Sequence, residues 1–257
     1  MKLTLEKDGQ RYSFQTEKGM DLSISLNPNG PRAWYVEPMR IEPVRTEQFL
    51  GSVAEGGAVN FRDVYFNPHG HGTHTENVGH IIDTDVPVVR SIGSSHYMAK
   101  LVTVELMKQV ATQGVSKGAS QRDWVVSEES LLGMDLNVEA LIIRTKPNDH
   151  SKSNRQYSGT NFPYLTIGAM QRIVDAGVQH LLVDLPSVDR EEDGGALSAH
   201  HLFWNVPSEP NFVKTITELI YVPNEIADGS YALNLQVSNF ANDAAPSRPI
   251  LFALTAE

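Results

Sequence analysis

The 257-residue sequence contains no cysteine, which excludes disulfides, thiolate metal sites and a thiol nucleophile. No run approaches the roughly 20 apolar residues of a membrane-spanning helix. The first residues, MKLTLEKDGQRYSF, are charged and polar, without the apolar stretch of a secretory signal. A cytoplasmic protein is therefore expected. Basic residues are also sparse, 21 Lys and Arg against 31 Asp and Glu for a net charge of −10, and they form no run. Nucleic-acid binding requires a basic face, so neither nucleic acid nor a membrane is an expected partner. The acidic excess reads as solubility. No Gly-x-Ser-x-Gly elbow is present, so with no thiol either, covalent catalysis lacks a candidate.

What the chain does have is a series of short β-rich runs. DLSISL (21–26) alternates in polarity. EALIIRT (139–145) and HLLVDL (180–185) are nearly continuous apolar runs, as expected of strands covered on both faces. TELIYV (217–222), YALNLQV (231–237) and PILFAL (249–254) complete the set. The clearest helix is TIGAMQRIVDAGV (166–178), with Ile167, Met170, Ile173 and Val174 on one face, Thr166 as N-cap and Gly177 as stop. A second helix is expected over 101–113, LVTVELMKQVATQ. With no repeat and no low-complexity linker, these elements predict a single α/β domain over residues 1–257, a mixed β-sheet flanked by a few helices. Two long polar loops, 146–160 and 187–198, are candidates for function.

Four of the chain's nine histidines fall in NPHGHGTHTENVGHI, residues 67–81. In an extended segment His74 and Glu76 point to one face. Gly70, Gly72 and Gly79 let the backbone pass close to something. Imidazole and carboxylate on one face suit a divalent cation, with zinc–ligand distances of about 2.0–2.2 Å. A lone histidine is most often a solvated or hydrogen-bonded surface group. Four within twelve positions favour a metal centre.

The stretch HGTHTENVGH resembles the signature of the cyclase superfamily, which includes the bacterial-type kynurenine formamidases and reads roughly His-x-Gly-Thr-His-x-Asp-x-Pro-x-His. DLSISLNPNGPRAWY, EALIIRT, FPYLTIGAMQRIVDAGVQHLLVDLPSVD, TELIYV and DGSYALNLQVSNFANDAAPSRPILFAL are similar, in order, to later and earlier family segments. By position, His74 matches the motif's second histidine, Glu76 its aspartate and His80 its last histidine. The motif proline is Val78, and the first motif histidine falls on Gly70. His69 and His71 flank that glycine; either reaches the same face only through a bulge, and His69 is preferred because Pro68 and Gly70 can fix its turn. The later half of the family's metal site maps to His200, with His201 as fallback, and to Glu218.

The resemblance implies a divalent metal, zinc first and manganese second, held by His69, His74, Glu76, His200 or His201, and Glu218. A metal-activated water would attack an amide carbonyl, with His80 as catalytic acid/base. The implied activity is that of an arylformamidase-like hydrolase of non-peptide C–N bonds, with a small-molecule substrate of the N-formylkynurenine type. A hydrolase of a cyclic amide such as isatin shares that mechanism. The altered motif also admits a non-catalytic small-molecule binding protein on the cyclase fold. Phe66, Tyr65, Phe162, Tyr164 and Trp204 are candidates for stacking on an aromatic substrate, although such residues more often fill a core. For His80, a structural role in a turn, its ring held by Asp83 or Asp85, is the plainer possibility. The family forms homodimers or homotetramers, and the same is expected here.

Overall fold

The computed structural model describes residues 1–7, 9–109, 120 and 122–257. Nine strands form its main sheet: β1 (Met20–Asp21), β2 (His74–Glu76), β3 (His96–Glu105), β4 (Ala140–Lys146), β5 (His180–Val183), β6 (Thr215–Glu218), β7 (Gly229–Asn234), β8 (Ala244–Pro246) and β9 (Ile250–Ala253). Their spatial order is β8-β2-β6-β5-β4-β3-β7-β9-β1. The four central strands β6, β5, β4 and β3 are parallel, and antiparallel strands extend the sheet at both ends. The expected mixed α/β sheet is therefore what the chain forms. No helix among the described residues is long and apolar enough to cross a membrane.

The apolar runs become central strands because both of their faces are covered. Along β4, Leu141 and Ile143 pack into one cluster with helix α1 (Ile167–Asp175) and helix α2 (Ser198–Phe203), through Met170, Ile173 and Phe203. Ala140 and Ile142 pack on the opposite face with Leu22, Ile220 and Leu233. Helix α1 starts where its sequence directs: the Thr166 hydroxyl accepts from the Ala169 amide at 3.1 Å, and Gly177 takes a left-handed φ of +79° after its end.

Three expectations are corrected. The segment 101–113 does not begin as a helix: Leu101–Glu105 belongs to β3 and a short strand covers Met107–Lys108, while residues 110–113 lie outside the described residues. The β-branched run Val102–Thr103–Val104 suits a pleated surface, and β3 is hydrogen-bonded to β4 on one side and β7 on the other. Within DLSISL only Asp21 is in a strand; Leu22 and Ile24 are buried in coil, where Thr73 supplies the Ile24 amide with its acceptor at 2.8 Å. TELIYV leaves its strand after Glu218, because Leu219 has φ +53° and the backbone turns there.

Candidate metal centre

Strand β2 lies between β6 and β8, with His74 opposite Glu218 on one side and Glu76 opposite Ala244 on the other. Period-two alternation turns the His74 and Glu76 side chains to the same face, and both residues are buried. Gly72 makes the entry to β2 possible. Its φ is +67°, and a Cβ there would meet Leu26 Cδ2 at 2.9 Å.

Upstream, the Asn67 side chain accepts from the amides of His69 (2.9 Å) and Gly70 (3.0 Å). This tight turn separates the two flanking histidines. His69 projects inward, with Nδ1 2.9 Å from Glu76 Oε2. His71 is occupied elsewhere: its Nδ1 accepts from the Asn67 amide at 2.9 Å and its Nε2 donates to the Glu37 carbonyl at 2.8 Å. Downstream, Asn77 caps the 3-10 turn Val78–His80. That turn brings His80 beside the same carboxylate, Nδ1 3.9 Å from Glu76 Oε2, with its ring centroid 4.3 Å from that of His69.

Helix α2 delivers His200. The amides of Ala199 and His200 both donate to Asp189, at 2.8 and 3.0 Å, and Asp189 Oδ2 also lies 2.7 Å from His200 Nδ1. One buried carboxylate thus fixes the start of the helix and the imidazole it carries. His200 Nε2 is then 3.1 Å from Glu76 Oε1 and 3.8 Å from Glu218 Oε1. The structure gathers His69, His74, Glu76, His80, His200 and Glu218 in one place; His201, the next residue on α2, is not among them. Phe162, Tyr164 and Trp204 are core residues. Trp34, which the sequence did not single out, walls the cavity over the centre together with Ser187 and Leu197. Asp243 was also missed: it precedes β8 and sets Oδ2 2.8 Å from His69 Nε2 and 3.6 Å from His80 Nδ1. The carboxylates beside His80 are thus Glu76 and Asp243, where Asp83 or Asp85 was the alternative.

The donor set fits a divalent cation on this geometry. A ligating imidazole needs one nitrogen tied to an acceptor and the other aimed at the ion. His69 is tied to Asp243, His200 to Asp189, and His74 through Nδ1 to the Gly72 carbonyl at 3.1 Å. His74 Nε2 is fully buried without a hydrogen bond among the described residues, and lies 3.4 Å from Glu218 Oε2. An orphaned buried nitrogen of this kind is costly unless something uses its lone pair. Three overlapping groups, His69/His74/Glu76, Glu76/His80/His200 and His69/His80/Asp243, each offer ligand atoms within 4.8 Å of one another.

Electrostatics agree. Burial by itself, the largest effect on each imidazole, would keep His69 and His200 neutral. Asp243 and Glu76 outweigh it and raise His69 to about 10. Asp189 and Glu76 do the same for His200, moving it well above the ordinary histidine value. Burial likewise pushes the Glu76 carboxyl up, yet His80, His200 and His69 hold it well below the ordinary carboxylate value. The centre favours positive charge among buried carboxylates. The cavity beside it has a volume of about 270 Å³. Backbone strain collects around it: Trp34, Leu197 and Leu219 have φ of +61°, +43° and +53°, a conformation costly for side chains of this size. A larger cavity of about 460 Å³ lies beyond the ends of β4 and β5. Its Lys152 ammonium is hydrogen-bonded to Thr145 and Asp184.

A mixed α/β sheet with a buried histidine–carboxylate centre at one end defines the class. The chain belongs to the cyclase family, whose model (Putative cyclase) matches residues 20–190. No curated protein matches it. Its fold is similar to that of a potential metal-dependent hydrolase with cyclase activity, at a TM-score of 0.61 and 15% identity over 92% of this chain and 98% of that one. It is also similar to an isatin hydrolase bound to the product analogue thioisatinate, with a TM-score of 0.60 and 13% identity over 93% of both chains. Isatin hydrolase A from Ralstonia solanacearum gives a TM-score of 0.60 and 14% identity over 92% of both chains.

Proposed function

We propose that this protein is a metal-dependent hydrolase of a small aromatic amide, with an N-formyl arylamine of the N-formylkynurenine type as substrate. The observation that carries the reading is His74 Nε2, buried among the other donors of the centre with no hydrogen-bond partner among the described residues. His69, His74, Glu76, His200 and Glu218 would hold the ion. A divalent ion there, zinc first and manganese second, supplies Lewis acidity to water and to the scissile carbonyl.

The remaining steps belong to the chain. Trp34 and Leu197 offer the aromatic part of a substrate an apolar wall. His80 is partly exposed and borders the cavity, with Nδ1 turned toward Asp243 and Glu76. Two carboxylates on that side favour the tautomer protonated at Nδ1, which leaves Nε2 to take a proton from the attacking water and return it to the departing amine.

A cyclic amide such as isatin is the second reading, favoured by the fold likeness to isatin hydrolases. The bond broken is again an aryl amide, but the amine stays tethered to the product. Protein stripped with a chelator and reloaded with zinc or manganese should turn over an N-formyl arylamine, isatin or both, and the stripped protein neither. Fully loaded protein that hydrolyses neither would favour a non-catalytic binding protein and overturn the proposal.

A further inference from the structure

Asp243 stands apart from the other acidic residues of the centre. It comes from the far end of the chain, immediately before β8, and is carried to the site by the pairing of Ala244 with Glu76. Its backbone is fixed there: the Asn77 amide donates to the Asp243 carbonyl at 3.1 Å, and the Val88 amide to the Asn242 carbonyl at 2.9 Å. Gly79 gives it room, because a Cβ at position 79 would lie 3.2 Å from Asp243 Cβ. The side chain is a quarter exposed and is hydrogen-bonded in the centre to His69, Oδ2 to Nε2 at 2.8 Å. At 3.6 Å, His80 is beyond hydrogen-bond distance.

Position 70 explains why His69 needs such a partner. A side chain there would begin against Val36, with a Cβ 2.8 Å from Cγ2 and 3.1 Å from Cγ1. No imidazole enters from position 70, and the one that reaches the centre comes from the preceding residue, across a turn. His74 is oriented by the Gly72 carbonyl two residues before it, and His200 by Asp189, whose carboxylate also accepts from the Ala199 and His200 amides. Among the described residues, the turn that carries His69 supplies its ring with no such acceptor; the ring's contacts are Glu76 and Asp243. The acceptor comes from Asp243.

We infer that Asp243 is the positioning residue for His69: it holds Nε2 so that Nδ1 faces the centre, and it thereby sets the affinity of the centre for a divalent cation. The inference rests on the metal-dependent reading above and goes beyond it by assigning a task to a residue outside the histidine motif. Asp243 acts through His69, not as a ligand in its own right.

The test is the equilibrium affinity for zinc, measured by chelator competition on the full chain, for wild type, Asp243→Ala, His69→Ala and the double variant. Loss of a carboxylate that orients a ligating histidine weakens metal binding by about 10–100-fold, and that is expected of Asp243→Ala. In the His69→Ala background the Asp243 substitution should cost nothing further, because residues acting as one unit are not additive. Asp243→Asn keeps the shape, loses the charge and follows the same pattern if the alanine variant does not fold. Wild-type affinity in a folded Asp243 variant would overturn the inference alone. A further loss in the double variant would make Asp243 a direct ligand and overturn it too. Wild type that binds no zinc would overturn the reading beneath it.

Discussion

His80 borders the cavity beside Glu76, and its Nδ1 lies within 4 Å of both Glu76 and Asp243. A ligand and a proton carrier in that position are told apart by measuring metal and rate on one preparation. His80→Ala should keep its zinc and lose about 10²–10⁴-fold in turnover, the usual worth of a placed acid/base. Loss of metal together with activity would make His80 a ligand, and retention of both would leave the proposed chemistry without a base. At this scale the sequence was partly legible. His74 and Glu76 could be read from parity alone, because an extended segment allows one outcome for residues two apart. The preference for His69 over His71 rested on Pro68 and Gly70 fixing a turn; the structure adds the Asn67 side chain that caps that turn, which the sequence reading did not use. Asp243 gave no signal: a single carboxylate in NFANDAAPS becomes a site residue only through the register of β8 on β2.

Among the elements, the central strands and α1 were legible because each carries one unambiguous pattern. Residues 101–108 were not, because an apolar spacing compatible with a helix is also compatible with a strand covered on both faces; the neighbours β4 and β7 decided the matter. Strand β5 makes a separate prediction. It begins at His180, which is buried against the Tyr97 ring (centroids 4.2 Å apart) with Nδ1 2.8 Å from the Thr215 hydroxyl. Burial lowers His180 to about 4, from an ordinary value of 6.5. Above pH 6.5 the imidazole is neutral whether the chain is folded or unfolded, and contributes no slope. Between 6.5 and about 4 the unfolded chain takes up the proton and the folded one does not, so stability falls as pH falls. Below about 4 both are protonated and the loss is complete, at about 3 kcal/mol. Denaturant titrations of wild type and His180→Asn across this window should show the variant losing less stability on acidification. Parallel curves would contradict the assignment.

For the molecule as a whole, the ordered series of segments from DLSISL to PILFAL pointed to the fold, and the cyclase family model and the nine-stranded mixed sheet agree with it. The centre was less legible because it is assembled from the histidine stretch, the start of α2, the end of β6 and the residue before β8. The sequence separates the first of these from the last by more than 160 residues. The claim joining fold to function is that this assembly holds a divalent cation. Elemental analysis of the purified chain, after exposure to excess zinc or manganese and removal of unbound metal, tests it most directly. His74→Ala, shown to be folded by circular dichroism, is run alongside. Tightly bound metal at a fixed stoichiometry in wild type, lost in His74→Ala, is the expected result. Wild type that retains no divalent metal, or His74→Ala that retains the full amount, would contradict it.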